Sequence, residues 1–197
     1  MHNDKRLDKA GNKSDMVCPW WLAYSFDNKL RGLIHNPQKI LGAYVKKGMR
    51  VLDVGCGLGF FSLAMAEMVG RDGVVVSADV QQQMLNILSK RAKKRGVVDR
   101  IQPHLCKGTS LGLSEPVDFA LACWMVHETP DYLAFFKDMY QYLKPNAGFL
   151  VMEPKLHCSN RIMALEKKCA EEAGFIVQDG GKIALSHAML LIKPEIE

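Results

Sequence analysis

Two groups of residues in this chain have the types and spacing to do chemistry. The first is Asp53-Val54-Gly55-Cys56-Gly57-Leu58-Gly59, three glycines at alternate positions behind an apolar run. Only residues without a Cβ let a chain turn this tightly and bring backbone N–H groups against a ligand, so the turn reads as a seat for a nucleoside-type cofactor. The second group is Ala122-Cys123-Trp124-Met125-Val126-His127-Glu128-Thr129-Pro130-Asp131. Its imidazole, His127, is the general-base candidate because an unperturbed histidine titrates near neutrality. The competing reading has His127 hydrogen-bonded to the loop before a helix that Asp131 caps. Glu153, in Glu153-Pro154-Lys155, could contact a substrate or fix its own loop.

The elements that must position these residues follow from the pattern of apolar runs. Strands are expected over 49–54, 73–78, 101–105, 117–122 and 147–153, and helices over 59–69, 81–95, 131–143 and 160–173. Strands that alternate with helices imply a parallel sheet covered on both faces. An earlier helix starts at Asn36-Pro37 and runs to Tyr44, with proline in its first turn. Two last runs, Gly174-Phe175-Ile176-Val177-Gln178 and His187-Ala188-Met189-Leu190-Leu191-Ile192, are joined by a Gly180-Gly181 connection with no helical pattern. Strands joined without a crossover helix pair antiparallel. In such a sheet Cys123, Trp124 and His127 follow strand 4 and Glu153 ends strand 5, at the edge where open α/β sheets bind ligands.

Two details narrow the cofactor. A dinucleotide fingerprint, G-x-G-x-x-G/A, needs Gly or Ala at position 60, where this chain has Phe60. Asp79 ends the run Gly73-Val74-Val75-Val76-Ser77-Ala78, twenty residues beyond Gly59. A carboxylate there can accept from both hydroxyls of a ribose, which suits any adenosine ligand lacking a 2′-phosphate.

On these residues the chain resembles the class I S-adenosylmethionine-dependent methyltransferases. Asp53 to Gly59 resembles their first motif, Ala78-Asp79-Val80 the acidic second motif, and Val117-Asp118-Phe119-Ala120-Leu121-Ala122 the strand 4 motif. Leu143-Lys144-Pro145-Asn146-Ala147-Gly148-Phe149-Leu150 resembles the approach to strand 5. The order and spacing hold from about residue 36 onward, and the flavour is that of the small quinone C-methyltransferase-like group. The resemblance implies a doubly wound, three-layer α/β fold with a mostly parallel seven-stranded sheet and an antiparallel last strand. It implies S-adenosyl-L-methionine as cofactor, with Gly55, Cys56, Gly57 and Gly59 beside its methionine part. Asp79 would bind the ribose and Val80 would pack on the adenine. Asp53 would orient the loop or meet the ammonium group, with Lys107 and Cys123 completing the cofactor set. Trp21, Tyr24, Trp124 and Glu153 would face the methyl acceptor. In one respect the chain departs from the pattern: many relatives hold the adenine with an Asp after strand 3, and Leu105-Cys106-Lys107-Gly108-Thr109-Ser110 offers no carboxylate.

Bulk properties fit one domain: 197 residues, 22.1 kDa and 48% hydrophobic residues, enough for a core. A polar tail over 1–15, an aromatic helical lid over 16–45 carrying Trp20, Trp21 and Tyr24, and a catalytic domain over 46–197 are expected. The six cysteines form no C-x-x-C pair, so they read as reduced thiols of a cytoplasmic protein with no metal. No apolar run is long enough to span a bilayer. The net charge of +5 collects at Lys90-Arg91-Ala92-Lys93-Lys94-Arg95, where it complements a helix C-terminus ahead of Gly96 rather than marking a nucleic-acid patch. The expectation is methyl transfer to a small-molecule acceptor. Alternatives are an RNA methyltransferase, an NAD-dependent oxidoreductase and a non-catalytic cofactor-binding protein. The sequence fixes no oligomeric state.

Overall fold

The computed structural model describes residues 29–107 and 110–195. Trp20, Trp21 and Tyr24 therefore lie outside the described residues, as do Cys18 and Thr109. Two short helices come first, α1 (Lys29–Ile34) and α2 (Pro37–Leu41). The α/β body follows as β1 (Arg50–Val54), α3 (Phe60–Val69), β2 (Val74–Asp79), α4 (Gln82–Arg95), β3 (Ile101–Leu105) and β4 (Val117–Cys123). It ends with α5 (Tyr132–Tyr142), β5 (Leu143–Pro154), α6 (Asn160–Glu172), β6 (Ile176–Asp179) and β7 (Ser186–Ile192).

The strands form one sheet in the order β3-β2-β1-β4-β5-β7-β6. β1, β2, β3, β4 and β5 run parallel, and β7 is antiparallel to both β5 and β6. The reversed last strand is the one expected from the helix-free Gly180-Gly181 connection. β1 and β4 are neighbours although β2 and β3 intervene in sequence, so the order of winding reverses between them. That switch point opens a crevice at the carboxyl ends of β1 and β4.

The core lies on both sheet faces. One face packs Leu63 and Met65 of α3 and Leu85 and Leu88 of α4 on Val51, Val75 and Leu121. The other packs Phe136 and Met139 of α5 and Ala170 of α6 on Leu52, Val76, Phe149 and Val151. Central strands buried on both sides read as continuous apolar runs, which is why they were visible in the sequence.

Local chemistry sets the boundaries. Asn36 caps α2 by accepting from Lys39 N, but that helix stops at Leu41 and not at Tyr44. Gly42 closes it, because a helix interior gains nothing from a residue that loses so much backbone entropy. Asp131 caps α5 through Ala134 N, and Ser159 caps α6 through Ile162 N. Gly96 ends α4 at φ 72°, as the basic run before it implied. β5 begins at Leu143, four residues earlier than the pattern suggests, pairing with Val117 before a shift in register.

Candidate active site

The turn after β1 is built from backbone. Gly55, Gly57 and Gly59 all have positive φ, at 65°, 53° and 83°. Each needs glycine for a different reason. A Cβ on Gly55 would come within 2.8 Å of the Met125 side chain, and one on Gly59 within 2.1 Å of Leu88 Cδ1. A Cβ on Gly57 would meet no protein atom within 4 Å. Two of the glycines let neighbouring side chains close in, while the third faces open space at the mouth of the crevice.

Asp79 ties this turn to β2. One carboxylate oxygen accepts from Gly57 N at 2.9 Å and the other from Gln81 N at 2.9 Å. Cys56 N donates to Ala78 O, and Arg91 Nη1 donates to Leu58 O at 2.7 Å. Burial raises the pKa of Asp79, partly offset by its hydrogen bonds from backbone amides. Each carboxylate oxygen accepts more than one hydrogen bond, so the two amides leave lone pairs for ligand hydroxyls. Beside it Val80 is 54% exposed, an apolar side chain left open where the resemblance places an adenine.

Asp53 lies in β1, two residues before Gly55. It is buried and accepts from Ser62 Oγ at 2.5 Å, and Ser62 accepts from Ser77 Oγ at 2.9 Å. Burial pushes its pKa up to about 7, with Ser62 and the charge of Arg31 opposing. Cys56 is likewise buried, and burial drives its thiol well above the ordinary range, so its backbone, not its sulfur, shapes the turn. Lys107 is exposed beyond β3 and bridges to Ser110. The Ser110 hydroxyl is engaged by Asp138 at 2.7 Å, so it does not stand in for the missing carboxylate as a free hydroxyl.

Across the crevice, side chains dominate. Trp124 follows β4 with φ 60°, a left-handed conformation costly for so bulky a residue. Its N–H bonds to Met152 O, and its indole Nε1 donates to Ser186 Oγ at 2.9 Å. His127 lies on a 3-10 turn (Val126–Glu128) and pairs through Nδ1 with Oε2 of Glu153. Glu153 is fully buried at the end of β5; its Oε1 accepts from Val126 N at 2.9 Å and its Oε2 from Cys158 Sγ at 3.2 Å. Burial alone would lower the His127 pKa, but the hydrogen bond and charge of Glu153 raise it overall. Glu153 therefore fixes its neighbouring loop and orients the imidazole at once.

Three residues in or beside the site, Arg31, Cys158 and Glu166, were not singled out from the sequence. Arg31 of α1 lies 4.8 Å from the Phe60 ring centroid and 5.4 Å from that of Trp124, and donates to Cys123 Sγ at 3.6 Å. Cys123 itself is pushed up to about 12 by burial. Cys158 and Glu166 come to Glu153 from beyond β5. Glu166 had one legible mark: it occupies the apolar stripe of α6 defined by Ile162, Met163, Cys169, Ala170 and Ala173, where a hydrophobic residue belongs.

A sheet of this order with a reversed seventh strand, a Gly-x-Gly-x-Gly turn after β1 and a carboxylate ending β2 define the class I methyltransferase fold. Residues 51–146 match the family model described as a methyltransferase domain. The demethylmenaquinone methyltransferase of Anoxybacillus flavithermus is 31% identical over 112 residues, 55% of this chain and 46% of the relative. That of Listeria welshimeri is 33% identical over 104 residues, 51% of this chain and 43% of the relative. A solved SAM-dependent methyltransferase from Aquifex aeolicus superposes with a TM-score of 0.78 over 90% of this chain and 100% of the other, at 23% identity. The chain spans less than half the length of the curated relatives it matches. Residues 51–146 are thus similar to a methyltransferase domain, and the fold is that of a solved SAM-dependent methyltransferase.

Proposed function

We propose that this chain transfers a methyl group from S-adenosyl-L-methionine to a small-molecule acceptor. The observation that carries the reading is the β1 turn, closed on two sides by Met125 and Leu88 and open at Gly57, with Asp79 bracing it from beneath. When bound, the cofactor supplies an electrophilic methyl on a sulfonium whose charge is neutralised as the methyl leaves. Gly55, Cys56, Gly57 and Gly59 would hold its amino-acid part by backbone, Asp79 its ribose and Val80 its adenine, with Lys107 at the rim.

The rest of the crevice serves the acceptor. Trp124 and Cys123 would line the side opposite the turn, with Glu153 buried behind them and acting through His127, and the 16–45 segment with Trp21 and Tyr24 would cover it, excluding water. α1, the described end of that segment, already lays Arg31 against Phe60 and Trp124. Glu153 holds His127 by Nδ1, so Nε2 is the nitrogen left to take a proton from the acceptor. The relatives' name, demethylmenaquinone methyltransferase, supports an apolar or aromatic acceptor. Nucleic acid is disfavoured because Arg91 and Arg95 of the basic run are engaged by Leu58 O and Glu67.

Calorimetric titration with S-adenosylhomocysteine tests the reading. The unmodified chain is expected to bind, and Asp79→Ala to bind at least about tenfold more weakly, as the loss of a charged hydrogen-bonding partner predicts. Absence of binding by the unmodified chain overturns it.

A further inference from the structure

Behind the acceptor side of the crevice lies a cluster that methyl transfer does not require. His127, Glu153 and Cys158 present one donor atom each, all within 4.8 Å of one another. Glu153 and Cys158 are fully buried. Glu166, also fully buried, stands beside this group: its charge helps to raise the Cys158 thiol, the charge of Glu153 helps to raise its own carboxyl, and neither of its oxygens has a hydrogen-bond partner among the described residues. Tyr132 of α5 and Cys169 of α6 are titratable neighbours, as are Glu128 and His157 beside His127. Three acidic groups thus share a buried site with one imidazole. A buried carboxylate without a partner is costly, and the usual remedy is a cation.

We infer that His127, Glu153 and Cys158 bind one divalent transition-metal ion, zinc by preference, with the neighbouring Glu166 drawn in as the fourth ligand. Imidazole nitrogen, carboxylate oxygen and thiolate sulfur are the zinc donor types. Bonds of about 2.0–2.3 Å in a tetrahedron put ligand atoms roughly 3.3–3.8 Å apart, within the spread found here. A dication would balance two of the three negative charges of the ionised ligands and give Glu166 the partner it lacks. Burial holds the Cys158 thiol well above its ordinary range, so binding must expel that proton to solvent. The ion would also displace the proton shared by His127 Nδ1 and Glu153. With Nδ1 ligating, the displaced proton moves to Nε2, which then no longer accepts one. A loaded site therefore takes His127 out of its role as base, which makes the metal an inhibitor of acceptor deprotonation.

Cobalt(II) reports on this set directly, because a thiolate ligand gives an intense near-ultraviolet charge-transfer band and tetrahedral coordination gives visible d–d bands. Titration of the purified chain with cobalt(II) is expected to give both, and zinc(II) to erase them at one equivalent. Cys158→Ser should lose the charge-transfer band, and Glu166→Gln should weaken zinc binding by about 10- to 100-fold in competition with a chromophoric chelator. Each variant is checked for S-adenosylhomocysteine binding, which lies across the crevice and reports that the fold is intact. No charge-transfer band with the unmodified chain overturns the inference. So does a band that survives in Cys158→Ser, because another thiol would then be the ligand. Failure here leaves the cofactor assignment standing, and loss of S-adenosylhomocysteine binding in the unmodified chain would leave the metal site standing.

Discussion

The two sides of the crevice are built from different materials. On the β1–β2 side the working parts are backbone amides and three glycines within seven residues, braced by Asp79 and Arg91. On the β4–β5 side they are side chains drawn from residues 124, 127, 153, 158 and 166, with Arg31 arriving from α1. The first side has its polar groups paired. The second holds a strained Trp124 and a buried Glu166 with no hydrogen-bond partner among the described residues. A backbone-built site tolerates little change in shape but asks little of side-chain chemistry. A side-chain-built site can be re-tuned by single substitutions, and acceptor specificity would be expected to reside there.

The largest effect that could break this contrast lies within the turn itself. Gly59→Val places a Cβ against the fully buried Leu88 and forces a β-branched residue to φ 83°. Overpacking and the left-handed backbone together should cost about 3 kcal/mol in urea unfolding. Gly57→Ala meets no protein atom, so its cost should be near 1 kcal/mol while S-adenosylhomocysteine affinity falls roughly tenfold or more. If the two substitutions were to affect stability and affinity in the same proportion, the division of labour among the glycines would be wrong.

A smaller effect separates Asp53 from both sides. Its carboxyl titrates near pH 7 in the fold against 3.8 ordinarily, so the folded chain keeps a proton that the unfolded chain releases near pH 4. Proton binding favours the folded state only below that range. Stability should therefore fall between about pH 4 and 7, by up to roughly 1.4 kcal/mol per pH unit from this group, and level off above. Asp53→Asn cannot ionise, and its side-chain oxygen can still accept from Ser62. Its unfolding midpoint should depend less on pH across that window than that of the unmodified chain. Parallel profiles would show that the carboxylate is better solvated than its burial suggests.

The same contrast explains what could be read without coordinates. The strand–glycine–helix unit is local: Val51 to Phe61 carries the strand, the turn and the helix start in one stretch, and eighteen further residues reach Asp79. The fold was legible for a related reason, since doubly buried strands leave unbroken apolar runs and the helix-free last connection forces an antiparallel pair. His127 and Glu153 were each visible as candidates, but their pairing was not, because it depends on β4 and β5 lying side by side in a given register. Arg31 was illegible: nothing in Lys29–Ile34 shows which way that helix leans. The part of the lid bearing Trp21 and Tyr24 lies outside the described residues.

The smallest expected effect sharpens the comparison inside one run of charge. Arg91 and Arg95 lie one turn apart on α4, in a stretch that composition alone treats as uniform. Arg95 reaches Glu67 at 2.7 Å, but both side chains are nearly half exposed, at 49% and 42%. Water screens such a pair and two long side chains lose rotamer freedom to form it, so Arg95→Ala should shift stability by about 0.5 kcal/mol or less. Arg91 instead donates to a carbonyl of the cofactor turn from a half-buried position. Arg91→Ala should cost about 1 kcal/mol and loosen the turn, weakening S-adenosylhomocysteine binding a few-fold where Arg95→Ala leaves it unchanged. Equal binding by the two variants would mean that the glycine turn holds its shape without support from α4, and the backbone side of the crevice would then be more self-sufficient than the structure implies.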